Sequence, residues 1–239
     1  MERKFAVFDI DGTVLRWQFF HAIVHELGKQ GILGAEATQA IKNARMTWKR
    51  REHEDSFHDY EQTLINSYAS ILGHVSQKDY LAAIDSVFET HKDQTYTYTR
   101  DFIRKLKKEG YLLFAISGSH QEIVTKFGEY YGFDAAVGAE FAYNPDGTIG
   151  KFIASPAHNG KGAYLETLVA EFDATYHGSY AFGDSRSDIE LLERVEHPVV
   201  FNPDKNLAAA ARKQGWKIVI ERKNMIYELE PNDGQYILA

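Results

Sequence analysis

The chain has 239 residues, 44% of them hydrophobic and 26% charged, the balance of an ordinary globular protein long enough to bury a sizeable core. Lys plus Arg number 27 against 34 Asp plus Glu, and the resulting net charge of −7 argues against broad nucleic-acid binding. The absence of cysteine excludes disulfides, thiolate metal sites and cysteine nucleophiles.

The N-terminal stretch MERKFAVFDIDG carries a brief apolar run that acids interrupt too early for a signal peptide. No uncharged run approaches the ~20 residues of a membrane helix, so a cytoplasmic protein without membrane insertion is expected. Residues 5–9, FAVFD, read as a buried strand. Residues 16–94 then hold no convincing strand but four amphipathic helical patterns. The first carries Trp17, Phe20, Val24 and Leu27, with Phe19 off the stripe; the second runs roughly over 35–50. The third carries Phe57, Tyr60, Leu64, Tyr68 and Ile71. The fourth carries Tyr80, Ile84, Val87 and Phe88, behind a capping box of Ser76 and Asp79. The basic run 42–54 reads as a solvated helix face.

Beyond residue 95 the pattern alternates. Strands are expected at 111–117, 179–184, 197–202 and 216–221, with helices at 97–109, 120–131, 161–172, 187–194 and 204–214. Residues 139–154 read as a hairpin around Asp146-Gly147, and the tail 224–239 carries no assignable pattern. The expected architecture is α/β: a Rossmann-like parallel sheet flanked by helices, formed by residues 1–15 and 96–239, with a four-helix bundle of residues 16–95 inserted after the first strand.

Four short stretches then fall on one edge of that sheet. In DIDG, residues two apart on a strand point the same way, so Asp9 and Asp11 project together from its carboxyl end, where ligands bind in open α/β sheets. Adjacent carboxylates repel unless one takes a proton or a cation sits between them. In AISGSH, Ser117, Gly118 and Ser119 offer hydroxyls and unhindered amides suited to an anion. Lys161 opens a predicted helix, where its charge opposes the macrodipole and a bound anion would resolve the conflict. In GDSRSD, Asp184 ends a strand and Asp188 follows one turn later. Asp9, the Asp11 carbonyl and Asp184, with Asp188 nearby, form an oxygen-ligand set for Mg2+. Each stretch also has a plain structural reading as a strand-end turn or a helix cap. Their coincidence on one edge points to handling a phosphoryl group with a metal.

In that order the motifs resemble the haloacid dehalogenase superfamily, in its phosphoserine-phosphatase-like branch, across roughly residues 5–221. The resemblance implies a phosphatase with Asp9 as nucleophile and Asp11 as general acid/base. It implies Ser117, Gly118 and Lys161 as phosphate contacts, and Mg2+ on Asp9, Asp11, Asp184 and Asp188. It also implies a helical cap and a small phosphorylated substrate. Two departures concern the substrate: Gln18 stands where the branch usually has a glutamate that meets an ammonium group, and Ser187 where it usually has asparagine. A phosphotransferase, or a phosphoacceptor protein using the same aspartate, shares this kit; receiver domains are shorter and place the acceptor on a later strand.

Overall fold

The computed structural model describes residues 2–232 and 235–238. In chain order its elements are β1 (Arg3–Phe8), α1 (Phe19–Lys29), α2 (Gly34–Arg50), α3 (Ser56–Ile71), α4 (Gln77–His91), α5 (Thr97–Lys108), β2 (Leu112–His120) and α6 (Gln121–Tyr131). There follow β3 (Ala135–Tyr143), β4 (Ile149–Ala154), α7 (Pro156–Asn159), α8 (Lys161–Glu171), β5 (Ala174–Gly183), a 3₁₀ turn at Arg186–Asp188, and α9 (Ile189–Leu192). Last come β6 (His197–Phe201), α10 (Lys205–Gln214), β7 (Lys217–Arg222), β8 (Met225–Asn232) and β9 (Gln235–Leu238). The chain divides into two units, one of residues 1–18, 91–139 and 154–239, the other of residues 19–90 and 140–153.

The first unit is built on a parallel sheet in the order β3-β2-β1-β5-β6-β7, which β8 and β9 extend antiparallel. Both faces of its centre are covered, which is why Phe5, Ala6, Val7 and Phe8 of β1 form an unbroken apolar run and are fully buried. Phe5, Val7, Phe114, Ile116, Val200 and Ile218 pack on one face against Leu165, Leu191 and Leu207 from α8, α9 and α10. On the other face Phe8 stacks on Phe182 at 4.4 Å, and Phe102 of α5 closes on Phe182 at 5.1 Å. Strands are added to one side of β1 through β2 and to the other through β5. The order therefore reverses at the β1–β5 boundary, the place beyond the carboxyl ends where open α/β sheets bind ligands.

The second unit holds α1 to α4 and the hairpin of residues 140–153. Its interior is aromatic: Trp48 stacks on Tyr60 at 5.4 Å, and the Tyr60 hydroxyl hydrogen-bonds His25 Nε2 at 2.8 Å. Ser76 Oγ accepts from the Asp79 amide, the expected cap of α4. The hairpin, read from sequence as part of the sheet domain, clusters with these helices because its backbone is tied to the α3–α4 loop. Gly73 N donates to Ile149 O at 2.6 Å, Ile149 N to Val75 O at 2.9 Å and Gln77 N to Gly147 O at 2.8 Å.

Other differences have local causes. Phe19, off the predicted stripe, is fully buried, because α1 begins at Phe19 and Trp17 lies outside it. Residues 135–138, unassigned from sequence, pair with β2 as the start of β3. That half-strand is alanine- and glycine-rich because it packs closely: a Cβ on Gly138 would lie 2.7 Å from Ser119 O, and one on Gly128 of α6 would lie 2.7 Å from Ala136 Cβ. Ser117 to His120 continue β2 rather than opening a helix, and α6 starts at Gln121. Of the unassigned tail, Met225–Asn232 and Gln235–Leu238 form β8 and β9, while residues 233, 234 and 239 lie outside the described residues.

Helix α5 has no cap of its own, and Glu221 of β7 supplies one: its buried carboxylate accepts from Thr97 N at 3.1 Å and Tyr98 N at 2.9 Å. Glu221→Ala is expected to lower stability by about 1–2 kcal/mol, read as a fall in the urea midpoint at unchanged slope, with Glu221→Gln recovering part of it. His120 is buried, and burial lowers its pKa from the ordinary 6.5 to about 4 against a small opposing pull from Glu122. Below pH 6.5 the unfolded chain therefore takes up a proton that the folded chain refuses. Stability should fall by up to about 3 kcal/mol between pH 6.5 and pH 4 from this group alone, with no contribution above pH 7.5. A His120→Gln variant unfolded by urea across that range should lose this part of the slope.

Candidate active site

Asp9 leaves β1 with its backbone still paired, its N–H donating to Phe182 O at 2.9 Å, so the aspartate is carried by the sheet itself. Ile10 points the other way and is fully buried. The chain then turns sharply: Ile10 O accepts from the amides of Thr13, Val14 and Leu15 at 3.3, 3.0 and 2.8 Å. Gly12 sits in this turn at φ +87°, and its bare Cα faces the Asp184 carboxylate; any Cβ there would overlap it. Thr13, fully buried, donates from Oγ1 to Asp184 Oδ1 at 3.2 Å.

The centre of the site is the Lys161 ammonium. It is buried and donates to Asp9 Oδ1 and to Asp188 Oδ1, both at 2.6 Å. The other oxygen of Asp188 accepts from Asp184 N at 3.1 Å, Ser185 N at 2.9 Å and Ser185 Oγ at 3.0 Å. The capping reading of GDSRSD therefore holds beside the acidic one, since Ser185 and Asp188 form a capping box on the 3₁₀ turn. Sequence reasoning looked to a bound anion to reconcile Lys161 with the start of α8. The protein's own carboxylates do it.

Ser117 ends the apolar part of β2, donates to Asp11 Oδ2 at 2.9 Å and accepts from Ser119 N at 3.0 Å. Gly118, beside it, is exposed. The structure thus joins Asp9, Asp184, Asp188 and Lys161 in one cluster and Asp11 with Ser117 in a second pair. Asp9, Asp184 and Asp188 each bring an oxygen within 4.8 Å of the others, a group that does not take in the Asp11 carboxylate. Two residues went unmarked in the sequence. Thr13 was signalled only by its place beside the acids. Glu190 carried no signal, since its partner Gly162 is distant in the chain.

The charge balance explains the titration. Burial raises Asp9 most; Lys161 pulls it back, while Asp188 and Asp11 push it up again, leaving its pKa at about 7. Asp184 is raised well above the ordinary carboxylate range, first by burial and then by Asp9 and Asp188. Burial works against the Lys161 charge, but Asp188 and Asp9 outweigh it and hold the proton firmly. A buried cluster with more carboxylates than ammonium groups, all its donors hard oxygens, fits a divalent cation of the Mg2+ kind.

The family model of haloacid dehalogenase-like hydrolases matches residues 6–193. A histidinol-phosphatase of Neisseria meningitidis serogroup C (strain 8013) is 25% identical over 230 residues, which cover 91% of this chain and 98% of that one. In fold, a protein of unknown function from Bordetella pertussis Tohama I superposes with a TM-score of 0.71 at 22% identity, over 92% of this chain and 99% of the other. A phospho-aspartyl intermediate analogue of phosphoserine phosphatase superposes at 0.63 with 21% identity, over 93% and 95%. The chain therefore belongs to the haloacid dehalogenase-like hydrolase family.

Proposed function

We propose that the protein hydrolyses a small phosphate monoester through an aspartyl-phosphate formed on Asp9, with Mg2+ as cofactor. The observation that carries this reading is the buried Lys161 ammonium, placed 2.6 Å from Asp9 Oδ1, where a phosphoryl group under attack by that aspartate gathers negative charge. An Asp9 carboxylate oxygen forms a bond to phosphorus as the ester P–O bond breaks, and Asp11 gives its proton to the departing alkoxide. Asp11 then takes a proton from water, whose oxygen attacks the same phosphorus. The P–O bond to Asp9 breaks, the Asp9 carboxylate is restored and inorganic phosphate departs. Lys161, the Ser117 hydroxyl and the Gly118 amide hold the phosphoryl oxygens. In the free protein the single Ser117 hydroxyl proton goes to Asp11 Oδ2, so Ser117 orients the proton carrier until a phosphoryl oxygen takes that hydrogen bond over.

Asp9, Asp184 and the Asp11 carbonyl would hold the cation, which offsets the repulsion between an anionic nucleophile and an anionic substrate when bound. Asp188 stands beside them with both oxygens engaged, and in this reading it fixes Lys161 and the Asp184 backbone. The inserted helical unit serves as the cap. Likeness to a histidinol-phosphatase along nearly the whole chain makes the phosphate of an amino alcohol the first substrate to assay, with phosphoserine second. Gln18 is neutral and pairs with an ammonium less strongly than the usual glutamate would. No helix among the described residues is long and apolar enough to cross a membrane.

Asp9→Asn is expected to abolish turnover, by roughly a thousandfold or more, together with any acid-stable phosphoenzyme. Retention of substantial activity would remove Asp9 as nucleophile. Asp11→Asn should slow hydrolysis of the intermediate, so phosphate from a labelled activated ester should accumulate on the protein. Chelation with EDTA should stop phosphate release and added Mg2+ restore it. Counting released phosphate against product phosphorylated on an added alcohol separates hydrolysis from transfer.

A further inference from the structure

The start of α8 is clamped from outside. Its N-cap, Gly160, has no side chain to offer and φ +86°, and the first turn contains no acid. Glu190, in α9 and two residues beyond Asp188, fills that role: Glu190 Oε2 accepts from Gly162 N at 3.0 Å. Its carboxylate lies so close over Gly160 that a Cβ there would meet Oε2 at 2.8 Å. From the same short segment Arg194 covers Gly162, where any Cβ would overlap its guanidinium. Arg194 is itself fixed, with Nη1 donating to Glu190 O at 2.8 Å and Nε to Glu166 Oε1 at 2.9 Å. The glycines on either side of Lys161 are thus the two places where this clamp touches the backbone.

We infer that Glu190 is a positioning residue for Lys161, acting through the first turn of α8. The inference rests on the reading of Lys161 as a phosphoryl contact. One segment, Asp188 to Arg194, secures the lysine twice. Asp188 holds the ammonium, and Glu190 holds the backbone from which it projects. The amide of Gly162 is an orphan donor of the helix start, and a carboxylate there also favours the positive end of the macrodipole. Gly162 N already has Glu190 as its acceptor, so in this arrangement the phosphoryl group is met by the Lys161 side chain rather than by that amide.

The probe is inorganic phosphate, titrated calorimetrically into the full chain with Mg2+ present. Thermal unfolding of every variant checks that it is folded. Lys161→Gln should weaken phosphate binding strongly; if that variant does not fold, Lys161→Arg, which keeps the charge but displaces it, takes its place. Glu190→Ala should weaken binding about fivefold to tenfold, the scale of a lost helix cap, and Glu190→Gln, whose amide oxygen still accepts from Gly162 N, should recover most of it. Adding Glu190→Ala to the Lys161 variant should change binding no further, because the two act in series. Wild-type binding in Glu190→Ala, or an undiminished effect of Glu190→Ala in the double variant, overturns the positioning role while the phosphoryl reading of Lys161 stands. Unchanged binding in the Lys161 variant overturns that reading instead, and the inference with it.

Discussion

A buried ammonium ion is tolerated only with partners, and the structure around Lys161 is arranged to provide them. Its two carboxylates lie 152 and 27 positions away in sequence, on the end of β1 and at the start of α9. Desolvating three ionised groups at once costs several kcal/mol for each, recovered only if the geometry is held closely. That requirement brings together the end of β1, the start of α8 and the segment after β5. The sheet satisfies it by placing β1 beside β5, so that both strands end at the same edge. Asp188 spends its second oxygen on the backbone of residues 184 and 185, so the same ion pair also shapes the loop that carries Asp184.

The cluster is over-supplied with negative charge. One ammonium faces Asp9, Asp184 and Asp188, and Asp9 also feels Asp11. An isolated salt bridge would hold Asp9 below the ordinary carboxylate range; burial and neighbouring acids instead bring it to about 7 despite the contact with Lys161. Folding thus leaves an unspent affinity for positive charge, which a divalent cation satisfies and a neutral ligand does not. The crowded acids make the site costly to fold without a counter-ion.

The strands that carry the site were legible because strands buried on both faces read as unbroken apolar runs, and so were the acids that end two of them. Lys161 was legible for a different reason: a lysine at a helix start violates local electrostatics, and such violations mark sites. What resolves the violation was not legible, because Glu190 lies 28 positions from Gly162 and Asp9 lies 152 from Lys161. The first half of β3 was hidden by its own packing, since alanine and glycine there meet close backbone neighbours and carry little strand signal. The β8–β9 ribbon was hidden for the opposite reason: it is largely exposed, so no regular apolar pattern marks it.

The two acids of DIDG receive different mechanical settings from one short sequence. Asp9 extends the pairing of β1 with β5 and is only 4% exposed, so its position is set by the rigid centre of the sheet. Asp11 sits two residues on, inside a turn folded onto the carbonyl of Ile10, is partly exposed, and takes its hydrogen bond from a serine hydroxyl on a different strand. A nucleophile needs a fixed line of approach and gains from exclusion of water. A proton carrier serving first the leaving group and then water needs access to solvent and room to move. In the proposed reading, with Asp9 as nucleophile and Asp11 as proton carrier, both needs are met because backbone pairing stops after Asp9 and the single intervening residue, Ile10, is buried as the anchor of the turn. In that sense the alternation of the strand sets where Asp9 points, and the turn that stops the alternation sets what Asp11 is able to do.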